Sequence, residues 1–402
     1  MDLDEILPEV GEYGAYQKLV IWLILVPAVF PCGFHAYNQI FLANVPDHWC
    51  NVSQSGEFQG DITKNFSIPV EVKVNGQVRY SQCLYIDNQS GRTPCQNGWI
   101  YDDTITNSVV SEWDLVCDKD FLVTLALVLF GTSGLIGNSF FGYIQDGMGR
   151  KPAYFIYLLI QCIFGIATAF AKSYTIWTIF RVGVGFTIPA ILGTPYVLAI
   201  ELVGPSERTV VTILINIAYS LSLVSLSIIV WAIRDWRWMA LTTTLPFLLL
   251  FLSWPLLPES PRWLLSQERY EEAEKILLQM ARINGKNVPT DFLSKYKLKK
   301  VDQLKNRNYG VRDLFRSKNL RWKTIIITFL WFANTSVYVG LSYYAPSLGG
   351  DEFLNFFLAG AVELPTYLFL WPSMDRLGRR WTLCISMIIG GTSCLATFLV
   401  QN

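Results

Sequence analysis

Gly142-Tyr143-Ile144-Gln145-Asp146-Gly147-Met148-Gly149-Arg150-Lys151-Pro152 is a polar, glycine-rich turn between two long apolar runs, 121–143 and 153–171. A turn this short must pack tightly, and Gly147 and Gly149 tolerate backbone angles that other residues avoid. An echo stands 229 positions on (375 minus 146), again between apolar runs: Asp375-Arg376-Leu377-Gly378-Arg379-Arg380. Both copies read Asp, two residues, Gly, then two cations. A repeat at that separation points to a chain built from two related halves.

The totals place those halves in a membrane. The chain is 52% hydrophobic and 16% charged, against about 25% charged for a soluble domain. Nine apolar runs are long enough to cross a bilayer: 19–42, 121–143, 153–171, 175–200, 209–233, 238–257, 324–345, 353–371 and 381–400. Formal net charge is zero, yet the charges are unevenly placed. Between Arg262 and Lys323 stand 16 of the chain's 32 Lys and Arg, against 7 acids; between Ala43 and Asp120 there are 5 against 11. The first segment therefore reads as cytoplasmic and the second as exoplasmic. Four units follow: a cytoplasmic tail, 1–18; a first helical bundle, 19–257, containing the insert 43–120; a cytoplasmic linker, 258–323; and a partial second bundle, 324–402. No cleavable signal peptide is evident, since residues 1–17 are acidic and the first apolar run is too long.

The exoplasmic insert carries Cys50, Cys83, Cys95 and Cys117, and sequons at Asn51, Asn65 and Asn88. An even cysteine count with glycan acceptors fits an oxidising compartment, and four cysteines leave three pairings open. In the linker, Tyr270, Ala273, Ile276, Leu277 and Met280 follow helical spacing. Ser266 reads as that helix's N-cap and Gly285 as its stop, giving an amphipathic helix at the cytoplasmic face. Gly131, Gly134 and Gly137 predict close helix packing in the second run.

These motifs together resemble a known family. Gly142 to Lys151 is similar to the loop signature of the major facilitator superfamily. Pro46-Asp47-His48-Trp49-Cys50, Cys95-Gln96-Asn97-Gly98-Trp99 and Trp113-Asp114-Leu115-Val116-Cys117 resemble the exoplasmic loop of its organic cation, anion and zwitterion transporters. Glu201-Leu202-Val203-Gly204-Pro205-Ser206-Glu207-Arg208 and Pro258-Glu259-Ser260-Pro261-Arg262 resemble that family too. The resemblance implies an all-α transporter of twelve spans, of which nine stand here, in the plasma membrane. It also implies that this stretch alone transports weakly or not at all.

Residue roles follow partly from physics and partly from that resemblance. Asp146, Gly149, Arg150, Glu201, Arg208, Glu259 and Arg262 fall at one membrane face, with Asp375, Arg379 and Arg380 as the second copy. Opposite charges there can form and break pairs, and so bias a two-state gate. Arg181, near the start of the fourth run, is assigned to a charge network. Glu363 lies mid-span beside Pro365, where an ionisable group is costly and a functional-site hypothesis by default; the resemblance makes it the partner of a cationic substrate. Tyr196, Trp331 and Tyr338 match positions where cation carriers of the family present rings, whose faces attract ammonium. Asn216 falls where relatives have a polar residue. Asn38, with His35 and Gln39 in the first run, is read either as an interhelical bond or as a substrate contact.

The expected function is secondary transport of small organic cations or zwitterions such as carnitine-like compounds. An organic anion carrier, or a non-transporting receptor or scaffold, is the alternative. No metal-ligand cluster and no Gly-x-x-x-x-Gly-Lys loop is present, so no enzyme activity, cofactor or metal is expected, and no nucleic acid partner. The bilayer and a small organic substrate are the partners implied.

Overall fold

The computed structural model describes residues 3–52, 68–72, 78–87, 91–102, 107–289 and 314–400. Seven described helices are long and apolar enough to cross a membrane. They fall in the first-half rods α1 (Ala15–Leu42), α2 (Phe121–Met148), α3 (Arg150–Ala169), α4 (Tyr174–Glu201) and α5 (Arg208–Ala232), and in the second-half α9 and α10 below.

The sixth apolar run is not one helix. Asp235 caps α6 (Trp236–Thr242) by accepting from the N–H groups of Arg237 and Trp238 at 3.0 and 3.1 Å. The Thr243 and Thr244 hydroxyls then bond back to the carbonyls of Met239 and Ala240, at 2.8 and 2.7 Å. Pro246 has no N–H to continue the ladder, and the chain tightens into a 3₁₀ stretch, Leu245–Ser253.

On the inner side come α7 (Pro261–Ser266) and α8 (Tyr270–Ile283). Ser260 caps α7, accepting from Trp263 N at 3.1 Å, and Ser266 ends it; the expected cap of α8 is thus not made, because α8 starts after Arg269, which gives no side-chain cap. Gly285 does stop the second helix, at φ +69°. The second half adds α9 (Lys318–Tyr344), α10 (Glu352–Arg376) and α11 (Gly378–Val400).

Small residues decide how closely the rods approach. A Cβ on Gly137 would lie 1.9 Å from Phe186 O, and one on Gly134 3.2 Å from Gly185 O, so α2 and α4 touch backbone to backbone there. Gly131 has open space around it and takes no part.

In the insert, three antiparallel pairs form: β1 (His48–Cys50) with β6 (Trp99–Tyr101), β2 (Val70–Val72) with β3 (Val78–Tyr80), and β4 (Leu84–Asp87) with β5 (Gly91–Pro94). Disulfides join Cys50 to Cys95 and Cys83 to Cys117, selecting one of the three pairings. Glu112 anchors the insert to the first half, accepting from Trp236 Nε1 at 2.8 Å and pairing with Arg237, while Trp113 packs edge-on to Trp177 and Trp236. Asn51 is half-buried; Asn65 and Asn88 lie outside the described residues.

Candidate transport site and inner corner

The α2–α3 turn assembles as a compact ionic corner. Arg150 grips Glu201 in a fork, Nε to Oε2 at 3.1 Å and Nη2 to Oε1 at 3.2 Å, with both side chains almost out of solvent. Its Nη1 also meets Asp146 at 3.2 Å, but Asp146 is 71% exposed, so that pair is the weaker one. Glu259 sits on the first turn of α3, accepting from Arg150 N at 2.8 Å and Lys151 N at 3.3 Å. A carboxylate at a helix N-terminus satisfies donors that have no partner within the helix. Burial nonetheless raises the Glu259 pKa above the usual carboxylate range, against the lowering effect of the N–H bonds from Ser260, Lys151 and Arg150. Gly149 makes the arrangement possible: its φ is +103°, and a Cβ there would lie 2.4 Å from Glu259 Oε2.

Arg208 and Arg262 are at this face, as expected, but their partner is one the sequence reading missed. Both reach Asp4 of the N-terminal tail, Arg208 Nη2 at 2.5 Å. Leu3, Ile6, Leu7 and Val10 are buried beside it, and Asn284 after α8 accepts from Tyr16 N at 3.0 Å and donates to Val10 O at 3.0 Å. The tail is thus a fitted part of the inner face, its apolar residues at helical spacing being the available signal.

The second copy of the turn does not join this corner. Arg379 and Arg380 are exposed at the start of α11, and the side chain of Asp375 lies outside the described set. Asn44 after α1 donates to Glu352 at the start of α10 at 2.8 Å, so α10 runs inward and its end, Arg376, shares a face with Asp146. The halves meet at their outer ends instead. Phe41 stacks on Phe353 (6.0 Å) and edges Phe356 (5.2 Å), and Tyr343 OH donates to Ala36 O at 3.0 Å.

Arg181, read from the sequence as a member of a charge network and among the gating residues, stands apart from the inner corner. It precedes Glu201 by 20 residues on α4, about 30 Å at 1.5 Å per residue. It is fully buried and donates to Gln39 Oε1, Asn38 Oδ1 and His35 O at 3.2, 3.0 and 3.3 Å. Asn38, at 1% exposure, is thus part of an interhelical bond between α1 and α4.

Between the halves, mid-membrane, lies Glu363 on α10. Ser220 of α5 donates its hydroxyl to Glu363 Oε2. Tyr338 of α9 shares a cavity lining with the same carboxylate, and Tyr37, Tyr219 and Tyr367 are its aromatic neighbours. Glu363, Tyr338, Ser342, Phe356, Gly360 and Leu223 line a cavity of about 180 Å³. Tyr196 and Asn216 both reach Thr212, two helix turns before Ser220: the Tyr196 hydroxyl is 3.5 Å from Thr212 Oγ1, and Asn216 donates to Thr212 O at 2.8 Å. Thr212, Asn216 and Ser220 repeat every four residues, so α5 presents one polar stripe. That spacing was the available signal for Ser220. Trp331 is 71% exposed, two turns before Tyr338 on the same face of α9.

The geometry describes a cavity between two helix sets that holds Glu363 and Tyr338, and comparisons with known proteins identify the family of the fold around it. The Sugar (and other) transporter family model matches residues 76–401. The chain is 49% identical to a Drosophila melanogaster beta-alanine transporter, covering all of this chain and 73% of that one. It is 40% identical to a Drosophila melanogaster carcinine transporter, of which it spans 64%, and 33% identical to organic cation transporter 1 of Caenorhabditis elegans, of which it spans 71%. The partially occluded inward-open structure of the Escherichia coli xylose transporter XylE superposes with a TM-score of 0.55 at 16% identity, over 89% of this chain and 74% of that one.

Proposed function

Because this chain belongs to the Sugar (and other) transporter family, on the organic cation transporter branch of the major facilitator superfamily, we propose that it carries small organic cations or zwitterions around Glu363. It is a multi-pass membrane transporter and not an enzyme. The observation that carries the substrate reading is the mid-span carboxylate that shares a cavity between the halves with Tyr338 and Phe356. A carboxylate at that depth is costly unless paired, and an ammonium group completes it. Rings beside it add about 0.5–2 kcal/mol each for a desolvated cation. A cavity of 180 Å³ suits a compound the size of a short amino acid, below the roughly 300–1,000 Å³ of drug-sized pockets.

Alternating access then follows from where the halves touch. Their outer ends are held together by Phe41, Phe353 and Phe356, which supports an inward-facing state. The corner of Arg150, Glu201, Glu259 and Asp146 holds the first half rigid, and the exposed Arg379 and Arg380 are free to dock at the inner face when it closes. Competition uptake tests the reading. β-Alanine, tetraethylammonium, carnitine and a hydrophobic anion are offered to the parent and to Glu363→Gln in the full-length protein; cation and zwitterion uptake falls in the variant. Unchanged affinity in Glu363→Gln overturns the carboxylate role, and inhibition by the anion alone favours the anion-carrier reading.

A further inference from the structure

Arg181 is a buried cation whose partners are all neutral. Its guanidinium is 1% exposed, lies 4.8 Å from the Phe130 ring centre, and gives its hydrogen bonds to two side-chain amide oxygens and one backbone carbonyl. Among the described residues no carboxylate pairs with it. Asn38 and His35 do not supply the missing charge: both are uncharged neighbours on α1, whose side chains reach toward Thr243 and Thr244. A lone charge buried in a membrane bundle draws a counter-charge, because removing its hydration is repaid only by an opposite charge or a full set of hydrogen bonds.

Three further donors, on Gln39 and on the turn of α4 before Arg181, have no partner among the described residues. Gln39 turns its oxygen to Arg181, which leaves its amide nitrogen unpartnered; the Thr178 hydroxyl and the Trp177 indole nitrogen are unpartnered as well. All three residues are more than nine-tenths buried. Trp177 and Thr178 precede Arg181 by four and three positions, one turn of α4, so they share its face. Native proteins rarely leave such groups unbonded. A buried positive charge whose own partners are neutral, with unpartnered donors on Gln39, which it bonds, and on Thr178, one turn before it on α4, is the donor set of an anion site.

We propose that a small monovalent anion, a halide or the carboxylate of a zwitterionic substrate, binds between α1 and α4 beside Arg181, Gln39 and Thr178. It supplies the counter-charge that the chain itself lacks there. The site lies in the outer half of the first helix set, apart from Glu363, and stands whether or not Glu363 binds substrate.

Thermal unfolding of the purified 402-residue chain in neutral-lipid nanodiscs tests this at constant ionic strength. Chloride, compared with the bulkier gluconate, raises the midpoint by about 2–4 °C. β-Alanine and ethylamine, each added in gluconate, separate the two sources: a shift from β-alanine but not ethylamine identifies the carboxylate, and a shift from chloride alone identifies the halide. Arg181→Gln removes the charge and abolishes either shift. Since that variant also alters packing, Thr178→Val and Gln39→Leu serve as milder tests, each weakening the apparent anion affinity about threefold or more while retaining a cooperative transition. A parent midpoint that is the same in chloride and gluconate, with β-alanine no better than ethylamine, overturns the proposal. So does a full shift retained in both Thr178→Val and Gln39→Leu.

Discussion

The hydroxyl of Ser220 on α5 donates to the carboxylate of Glu363 on α10, so one hydrogen bond spans the two helix sets at the candidate substrate group. A substrate ammonium that approaches Glu363 competes with a bond that holds the halves together. Binding and rearrangement are thereby linked through one carboxylate.

Ser220→Ala removes that competitor. With a net worth of about 1 kcal/mol for such a bond, the apparent substrate affinity rises roughly fivefold. The concentration dependence of uptake in the full-length protein measures it, with Ser220→Cys intermediate. A KM equal to that of the parent counts against the competition.

Gly149 and Gly147 provide a paired test of the inner corner. A Cβ at Gly149 meets Glu259 and must adopt φ +103°, whereas nothing lies within 4 Å of one at Gly147. Gly149→Ala therefore costs about 1–3 kcal/mol of stability. Gly147→Ala stays within about 1 kcal/mol of the parent, as Gly to Ala inside a helix does. Midpoints from thermal unfolding decide, and equal losses would refute the contact.

Acidity acts on the same corner through Glu259, whose pKa burial raises. The native state then holds a proton that the unfolded chain has already released, so stability falls as pH rises through the interval above the ordinary carboxylate value. Below that interval both states are protonated and the contribution is fully present. Glu259→Gln flattens this part of the stability–pH curve. An identical slope in the variant would show that another group is responsible.

Asp4 bridges Arg208 and Arg262, and a double-mutant cycle with Asp4→Asn and Arg262→Gln reads the coupling. The groups are partly exposed, so each pair is worth at most about 1 kcal/mol. The expected sign is a smaller loss for the double variant than for the sum of the singles. Strict additivity means the tail does not hold the two loops together.

Much of this molecule was legible before any coordinates. Apolar runs of two dozen residues admit few fates, because backbone polar groups in hydrocarbon must be satisfied within the segment. The turn at Asp146 and Gly149 identifies the corner, since local backbone geometry and charge are written in consecutive residues. The break in the sixth run was local too, in Thr243, Thr244 and Pro246, but hydropathy does not register it.

Contacts between residues far apart in the chain were decided by tertiary structure alone. The sequence offered Arg181 as one more charge for a network; only folding shows its surroundings to be neutral amides and a phenyl ring. It supplied Asp4 as one acid in an acidic tail, and only packing places it between Arg208 and Arg262. Four cysteines left three pairings, and only the folded insert joins Cys50 to Cys95 and Cys83 to Cys117. The reason is the same in each case: spacing along a helix fixes which side chains share a face, while the neighbour that face meets depends on how the rods pack.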